Sequence, residues 1–372
     1  MKISDLYWPV TFFSTAFGAG IFFLPQAVGP TVLGMMPFLV FITGAMLVSL
    51  MAHYLFFKFI SFNPEKDFLV ASSYFIGRRY ASVICALFIV SMMIIVLINF
   101  IALVNVVSSF FNDSLFIRFC VSLLLSSALS VAWLSFNTEV ERLISRIALL
   151  SIISVAGVTV FFFFQPVRHQ LLHSLDMGSF NNLKLLPVFL FTFNFTPCIQ
   201  RFTKSSEIPD VRKLIVGKLI IFTFILVFVI AVSRLLTPED INIIGAKNID
   251  ALSYTASLTG KHLVWYCAAL LLSLLTAGAY TGTLTGVIDG IGSFGVLNKR
   301  VILSCNILIC TVIGTANPSI VEIIANGSMP VIVITVFFIP SVFFIMKGKM
   351  LLKIIGSLVL LSGTAVIATL FI

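Results

Sequence analysis

Two short runs carry residue types able to hold a small charged guest inside an otherwise apolar chain. The first is Thr11–Gln26, TFFSTAFGAGIFFLPQ, where Gly18-Ala19-Gly20 precedes Pro25. The second is Leu190–Phe202, LFTFNFTPCIQRF, where Thr192, Asn194 and Thr196 alternate with Phe193 and Phe195 and Pro197 closes the polar stretch. Each is greasy enough for a membrane helix, and each places in mid-span what a continuous helix disfavours. Inside a bilayer, backbone that leaves the helical ladder finds a partner in protein, ion or water, or loses on the order of several kcal/mol per group.

A helix opened at Gly18–Gly20 ends its first half in bare carbonyls and begins its second with free N–H groups and a positive dipole end. A zwitterionic amino acid matches both, with its carboxylate on the N–H groups and its ammonium near the carbonyls. Thr15, Gly18, Ala19 and Gly20 are the expected ligands from the first run. Thr192, Asn194 and Thr196 supply polar groups from the second, while Phe193 and Phe195 shape the side-chain pocket. A structural alternative stands beside each: a small-residue helix contact at the glycines, and an ordinary kink at Pro197 whose loosened carbonyls bond Thr192 or Thr196.

The elements that must position these runs are membrane helices. The chain has 372 residues, 60% of them hydrophobic and 10% charged, with 39 Phe, and its mean hydropathy is +1.15. Ordinary soluble domains are roughly 45–50% apolar and about 25% charged, so lipid is the solvent for most of this chain. Apolar runs long enough to cross a bilayer fall at 7–27, 31–58, 80–111, 114–134, 142–165, 184–203, 213–236, 260–288, 300–316, 327–346 and 351–371. That makes eleven expected spans. The first lacks a small-residue cleavage site, contains Pro25 and precedes ten others, so it is expected to stay in the mature protein rather than act as a signal peptide.

The formal charge of +9 reflects topology rather than nucleic acid. With the N-terminus in the cytoplasm and the C-terminus outside, 17 of the 23 Lys and Arg fall on the inner side, Lys58, Arg201, Lys204, Lys213 and Lys218 among them. That asymmetry fits the positive-inside rule and anionic inner-leaflet lipid. The links 61–79 and 201–213 then read as short charged turns of tight hairpins, and 166–183 and 237–259 as outer loops or short surface helices.

The breaks near Ala19 and Asn194 lie about 175 residues apart. With five spans in each half, the second half must be inverted relative to the first. The expected all-α fold is therefore one transmembrane domain over 1–372, with repeat one at 7–165, repeat two at 184–346 and an extra helix at 351–371.

Other polar residues compete for a role in ion coupling. Thr281 and Thr285 share a helix face in span eight, and with first-span carbonyls near Ser14 and Phe17 they offer the oxygen ligands a hard cation favours; a Gly/Thr packing seam is the equal alternative. Glu322 is the best acidic candidate for a proton. Asn99 and Asn105 in span three, and His53 at the inner end of span two, read as helix-bonding or interfacial groups at least as well as ligands. The six Cys form no CxxC, so neither zinc ribbon nor disulfide framework is indicated. His169 and His173 are at i and i+4 in an outer loop with no HExxH, and no phosphate-cradling Gly-Lys-Ser loop exists. Enzymatic chemistry is not expected, nor any cofactor beyond a coupling H⁺ or Na⁺.

The residues also resemble a known family. Ser14-Thr15-Ala16-Phe17-Gly18-Ala19-Gly20 through Leu24-Pro25 is similar to the opening motif of the hydroxy and aromatic amino acid permeases, in particular the bacterial serine and threonine branch. Phe193-Asn194-Phe195-Thr196-Pro197, Leu236-Thr237-Pro238 with Asn248-Ile249 and Leu252-Ser253-Tyr254, and Asn317-Pro318-Ser319-Ile320 followed by Pro330 resemble its later motifs, in order. The resemblance implies the amino acid–polyamine–cation fold of the leucine-transporter type, eleven spans in a bacterial inner membrane, and amino acid uptake coupled to a cation, usually a proton. An aromatic substrate, a passive channel and a non-transporting receptor are the alternatives. The chain departs from the family pattern at Gly278, where the family carries a Lys, at Phe195, where it carries a His, and at Ala325, where it carries a Glu. Coupling and substrate are not inherited through those positions.

Overall fold

The computed structural model describes residues 7–111, 114–136, 140–168, 180–205, 210–295 and 298–371, with side chains described except at 136–148 and 180–182. His169, His173 and Glu139 lie outside the described residues. In chain order the helices are α1 Tyr7–Ala16, α2 Ala19–Phe22, α3 Leu24–Val28, α4 Pro30–Leu33, α5 Met35–Ser61, α6 Phe68–Ile76, α7 Arg78–Ser108, α8 Leu115–Phe136 and α9 Val140–Phe163. There follow α10 Leu186–Thr192, α11 Thr196–Ser205, α12 Val211–Ser233, α13 Pro238–Lys247, α14 Ala251–Leu258, α15 His262–Gly292 and α16 Lys299–Ala316. Two long segments close the chain, α17 Ile320–Lys347 and α18 Met350–Phe371. Among the described residues, nine helical segments are long and apolar enough to cross a membrane, and no strand occurs.

Two observations make this a membrane protein and not a large soluble bundle. Val40, Leu124, Leu308 and Leu361 are all more than 60% exposed on outward faces, an arrangement water does not tolerate over large patches. The charged contacts also collect at the two ends: Arg201–Asp289 and Lys204–Asp67 at one, Arg168–Asp240 at the other.

The helices meet through small residues, which let backbones approach closely where lipid removes the hydrophobic drive. On α15, Gly278 faces the Ser14 hydroxyl, Gly282 faces Thr15, Gly286 abuts Pro197 and Met92, and Gly290 abuts Ile89. This stripe seats α1, α11 and α7 on one helix. In α17, π-helical turns at Ile323–Ser328 and Val333–Phe338 lie just ahead of Pro330 and Pro340. A proline strips the carbonyl four residues back of its donor, and the wider turn restores a partner.

The link 61–79 is not the plain turn expected. It carries α6, because Asp67 caps the helix by accepting from Leu69 N at 2.9 Å and from Val70 N. The segment 237–259 is two short helices, the first opened by a capping box between Thr237 and Asp240.

Candidate functional site

Both sequence-marked runs are interrupted. The first helix ends at Ala16, and Gly18 takes an extended conformation (φ −117°, ψ −155°) before α2 starts. The Ala19 N–H then points away from the ladder and donates to Asn99 Oδ1 on α7 at 2.9 Å. Asn99 is itself fixed by donating Nδ2 to the Ile95 carbonyl. A buried side-chain amide thus does the work of an N-cap for a helix restarted in mid-membrane.

The second run opens between Thr192 and Thr196. Asn194 turns its Oδ1 onto the Thr196 N–H at 3.1 Å and onto the Thr196 hydroxyl, capping α11. Asn194 Nδ2 is buried with no hydrogen-bond partner, a donor whose desolvation goes uncompensated until an acceptor arrives. The nine expected ligands, Thr15, Gly18, Ala19, Gly20, Thr192, Phe193, Asn194, Phe195 and Thr196, are all buried.

The interrupted segments lie against each other. Phe12 stacks on Phe195 with ring centroids 4.8 Å apart, and Thr15 Oγ1 approaches Cys198 Sγ at 2.7 Å. A side chain at Gly20 would stand 2.8 Å from the Phe191 ring. The crevice among α1, α11 and α15, lined by Thr15, Pro197, Cys198, Gly282 and Thr285, has a volume of about 20 Å³, space for one water. This conformation is closed around the breaks.

The structure places other residues where the sequence did not. Lys218, read as an inner-end charge, is 0% exposed on α12. Its Nζ donates to the Phe193 carbonyl at 2.6 Å, to Ser49 Oγ at 2.9 Å and lies 3.0 Å from His53 Nδ1. His53 is likewise buried at 1% exposure, not at headgroup level, with Nε2 3.1 Å from Thr196 Oγ1. Sequence spacing held a signal for Lys218: it continues the buried stripe Leu214, Ile221, Ile225 along α12.

The coupling candidates are more scattered. Thr281 and Thr285 donate their hydroxyls to the carbonyls of Ala277 and Thr281, and Thr285 accepts from Trp133 Nε1. Ser14 packs against Gly278, and Phe17 is buried in a stack with Phe13. Glu322 is exposed in the first turn of α17, behind the Ser319 cap. Asn105 belongs to an end network: it donates to the Asn248 carbonyl and accepts from Arg118.

That same end holds a buried carboxyl. Asp250 caps α14 through the Ser253 N–H at 2.7 Å and lines a cavity of about 140 Å³ with Asn105, Tyr254 and Trp265. Burial pushes its carboxyl up to about 6, against the hydrogen bonds from Ser253. Because this exceeds the unfolded value of about 3.9, the folded protein holds the extra proton between those limits. Its contribution is therefore most favourable below that window and declines as pH rises through it. Asp250→Asn, which caps equally well, is expected to raise Tm clearly at about pH 8 and by about a third as much at about pH 4.5. Thermal melts in detergent at both pH values check this, and equal shifts at both would refute it.

At the opposite end a vestibule of about 590 Å³ is lined by Glu65, Asp67, Arg201, Lys204, Asp289 and Lys299. Asp67 Oδ2 there accepts from Gln200, Lys204 and Ser293 at 2.8–2.9 Å, and Arg201 Nε meets Asp289 at 2.7 Å. The second half of the interrupted segment, α11, is thereby tied to α6 and α15.

No protein-family model matches the chain. Among curated proteins, the serine transporter SdaC of Escherichia coli (strain K12) is 24% identical over 91% of this chain and 86% of its own. The serine transporter SdaC of Shigella flexneri matches at the same identity and coverage. Both names are those of transporters and not of enzymes.

Proposed function

We propose that this chain, a homologue of the hydroxy amino acid permeases, is a secondary active transporter that imports an amino acid by cation symport. Kinship supports amino acid transport; the site and the coupling are our reading. The observation that carries it is the meeting of two interrupted helices, the second with a buried, unpartnered Asn194 Nδ2 at its break. The substrate carboxylate accepts from the Gly20 N–H at the start of α2, beside the Ala19 N–H held by Asn99, and from Asn194 Nδ2. Its ammonium sits by the carbonyls that end α1, and Thr15, Thr192, Phe193, Phe195 and Thr196 enclose the remainder.

Eleven spans in a 5+5 inverted repeat with a final helix, in a bacterial inner membrane with the N-terminus inside, complete the proposal. The eleven apolar runs, the spacing of the breaks and the placement of Lys and Arg support it. Alternating access comes from α1, α5, α10–α11 and α12 rocking against a scaffold of α7, α8, α15 and α16. The closed crevice and the tied Asp67 end fit an occluded conformation.

Purified protein in liposomes tests this with labelled serine, threonine, tryptophan and tyrosine under pH and sodium gradients applied separately. Accumulation of one of them against its gradient is expected only when an ion gradient is imposed. Downhill flux alone would make the chain a channel, and binding without flux a receptor. Gly20→Leu, which drives a side chain into Phe191, is expected to abolish uptake with little loss of folded yield; undiminished uptake would refute the site.

A further inference from the structure

An ammonium taken from water into a protein interior is strongly disfavoured unless a counter-charge or full hydrogen bonding compensates it. Lys218 has no counter-charge: among the described residues no carboxylate pairs with it. The acids at the Asp67 end are engaged by Lys204 and Arg201. Its compensation is three acceptors for three N–H groups, Ser49 Oγ, His53 Nδ1 and the Phe193 carbonyl, with the Phe195 ring face 4.3 Å away. Ionisable groups at membrane depth of this kind mark ion pathways by default.

The acceptors are specific to the interruption. The Phe193 carbonyl belongs to the stretch where α10 has ended and α11 has not begun. With Nζ donating to His53 Nδ1, the imidazole carries its proton on Nε2 and donates to Thr196 Oγ1. Thr196 in turn donates to Asn194 Oδ1. A directed chain of hydrogen bonds therefore runs from the lysine to the amide whose free Nδ2 awaits the substrate.

We propose that Lys218 is the proton-carrying group of the transporter, so that the coupling ion is H⁺ and its site is the α12–α5 face of the second interruption. The proposal rests on the transport reading above. As an ammonium, Nζ satisfies all three acceptors and pins the interruption. Loss of one proton to water, admitted as the site opens inward, leaves an amine with two N–H groups and a lone pair. Three acceptors can no longer be served, and the Phe193 carbonyl and the His53 tautomer are released together. Regaining a proton from water on the outer side restores the pin; one proton moves per cycle. The titratable or charged groups on the elements packed around Lys218 are Tyr7 on α1, His53, Tyr54 and Lys58 on α5, Cys198, Arg201 and Lys204 on α11, and Tyr254 on α14. Of these His53 alone is hydrogen-bonded to it. Between Leu149 and Phe163, α9 carries none.

The test compares wild type, Lys218→Met and Lys218→Arg in proteoliposomes, with whichever of the four labelled amino acids wild type exchanges. Arginine keeps the positive charge but does not release its proton at working pH, which separates carrying a proton from merely filling space with charge. Wild type should concentrate the amino acid on an inward pH gradient and acidify the lumen, read with an enclosed pH-sensitive dye. In each variant the ratio of gradient-driven accumulation to counterflow exchange should fall tenfold or more below the wild-type ratio, a loss equal to about 1.4 kcal/mol or greater. Accumulation by Lys218→Arg at the wild-type level overturns the proposal. So does wild-type uptake driven by sodium with no lumenal acidification, which leaves the transport reading intact. Absence of any exchange by wild type would instead remove that reading, before the variants are considered.

Discussion

Alanine at position 18 is expected to lower uptake on the order of a hundredfold, the effect of about 2.8 kcal/mol lost from the substrate-bound state. A Cβ built on Gly18 collides with Asn99 Oδ1 and stands 2.8 Å from Ala279 Cβ. The φ of −117° is open to any residue, so the requirement for glycine is one of space. The displaced carboxamide abandons the Ala19 N–H, and a buried donor without its acceptor is worth about 1–3 kcal/mol. The start of α2, where the substrate carboxylate is proposed to bind, loses its geometry at the same moment. Asn99→Ala removes the cap without the collision and should cost less. Because the two changes act on one contact, the double variant Gly18→Ala/Asn99→Ala should fall short of the sum of the singles. Gly44→Ala is the control: nothing lies within 4 Å of its Cβ position, and a helix-interior glycine exchanged for alanine gains up to about 1 kcal/mol. Uptake by Gly18→Ala within twofold of wild type would show that the interruption does not bind substrate.

The interruptions were legible because their causes are local. Glycines before a proline, and polar residues alternating through an apolar run, are read within a dozen positions. The groups that complete them were not, because they arrive from other helices. Asn99 reaches Ala19 across 80 residues and Lys218 reaches Phe193 across 25. Lys218 counts among the inner-side charges in the linear sequence, whereas the stripe Leu214, Lys218, Ile221, Ile225 buries it along α12. Lipid-facing helices blur that stripe, since both faces are apolar and only the rare polar residue betrays which side is packed. Glu322, a proton candidate by residue type, stands exposed as the third residue of a helix capped by Ser319, where a carboxylate favours the positive end of the dipole. Thr281 and Thr285 read equally as oxygen ligands or as a packing seam, since in a helix a threonine hydroxyl also has its own i−4 carbonyl within reach. The helix over 68–76 hinged on one residue, Asp67, whose capping role is invisible in a short charged link until the helix is seen.

Asp67 also carries the second large prediction. Asp67→Ala is expected to loosen the whole end of the molecule that holds the vestibule. One carboxylate caps α6 with Oδ1 and gathers Gln200, Lys204 and Ser293 on Oδ2. Its removal forfeits a cap of about 1 kcal/mol and strands the buried Gln200 amide at about 1–3 kcal/mol. Burial opposes the charge, yet the hydrogen bond and charge of Lys204, with Ser293 and the Leu69 N–H, hold the carboxyl below its usual range. A depressed folded value means the tether is fully present above the unfolded value of about 4 and fades as pH falls through the folded one. It therefore persists through the physiological range and is released by mutation, not by mild acid. With the Asp67 ties gone and Arg201–Asp289 and the Gly286–Pro197 packing left, α11 should move more readily from α15 and open the crevice at Cys198, which is 6% exposed. In a background where Cys267 and Cys305, both exposed, are serine, a membrane-impermeant maleimide should label Cys198 at least about tenfold faster in Asp67→Ala, a shift of about 1.4 kcal/mol toward the open form. Asp67→Asn keeps the cap and should fall between the two. An unchanged labelling rate in Asp67→Ala, with the expected drop in Tm, would confine the cluster to stability and leave the gate to be sought elsewhere along α1 and α12.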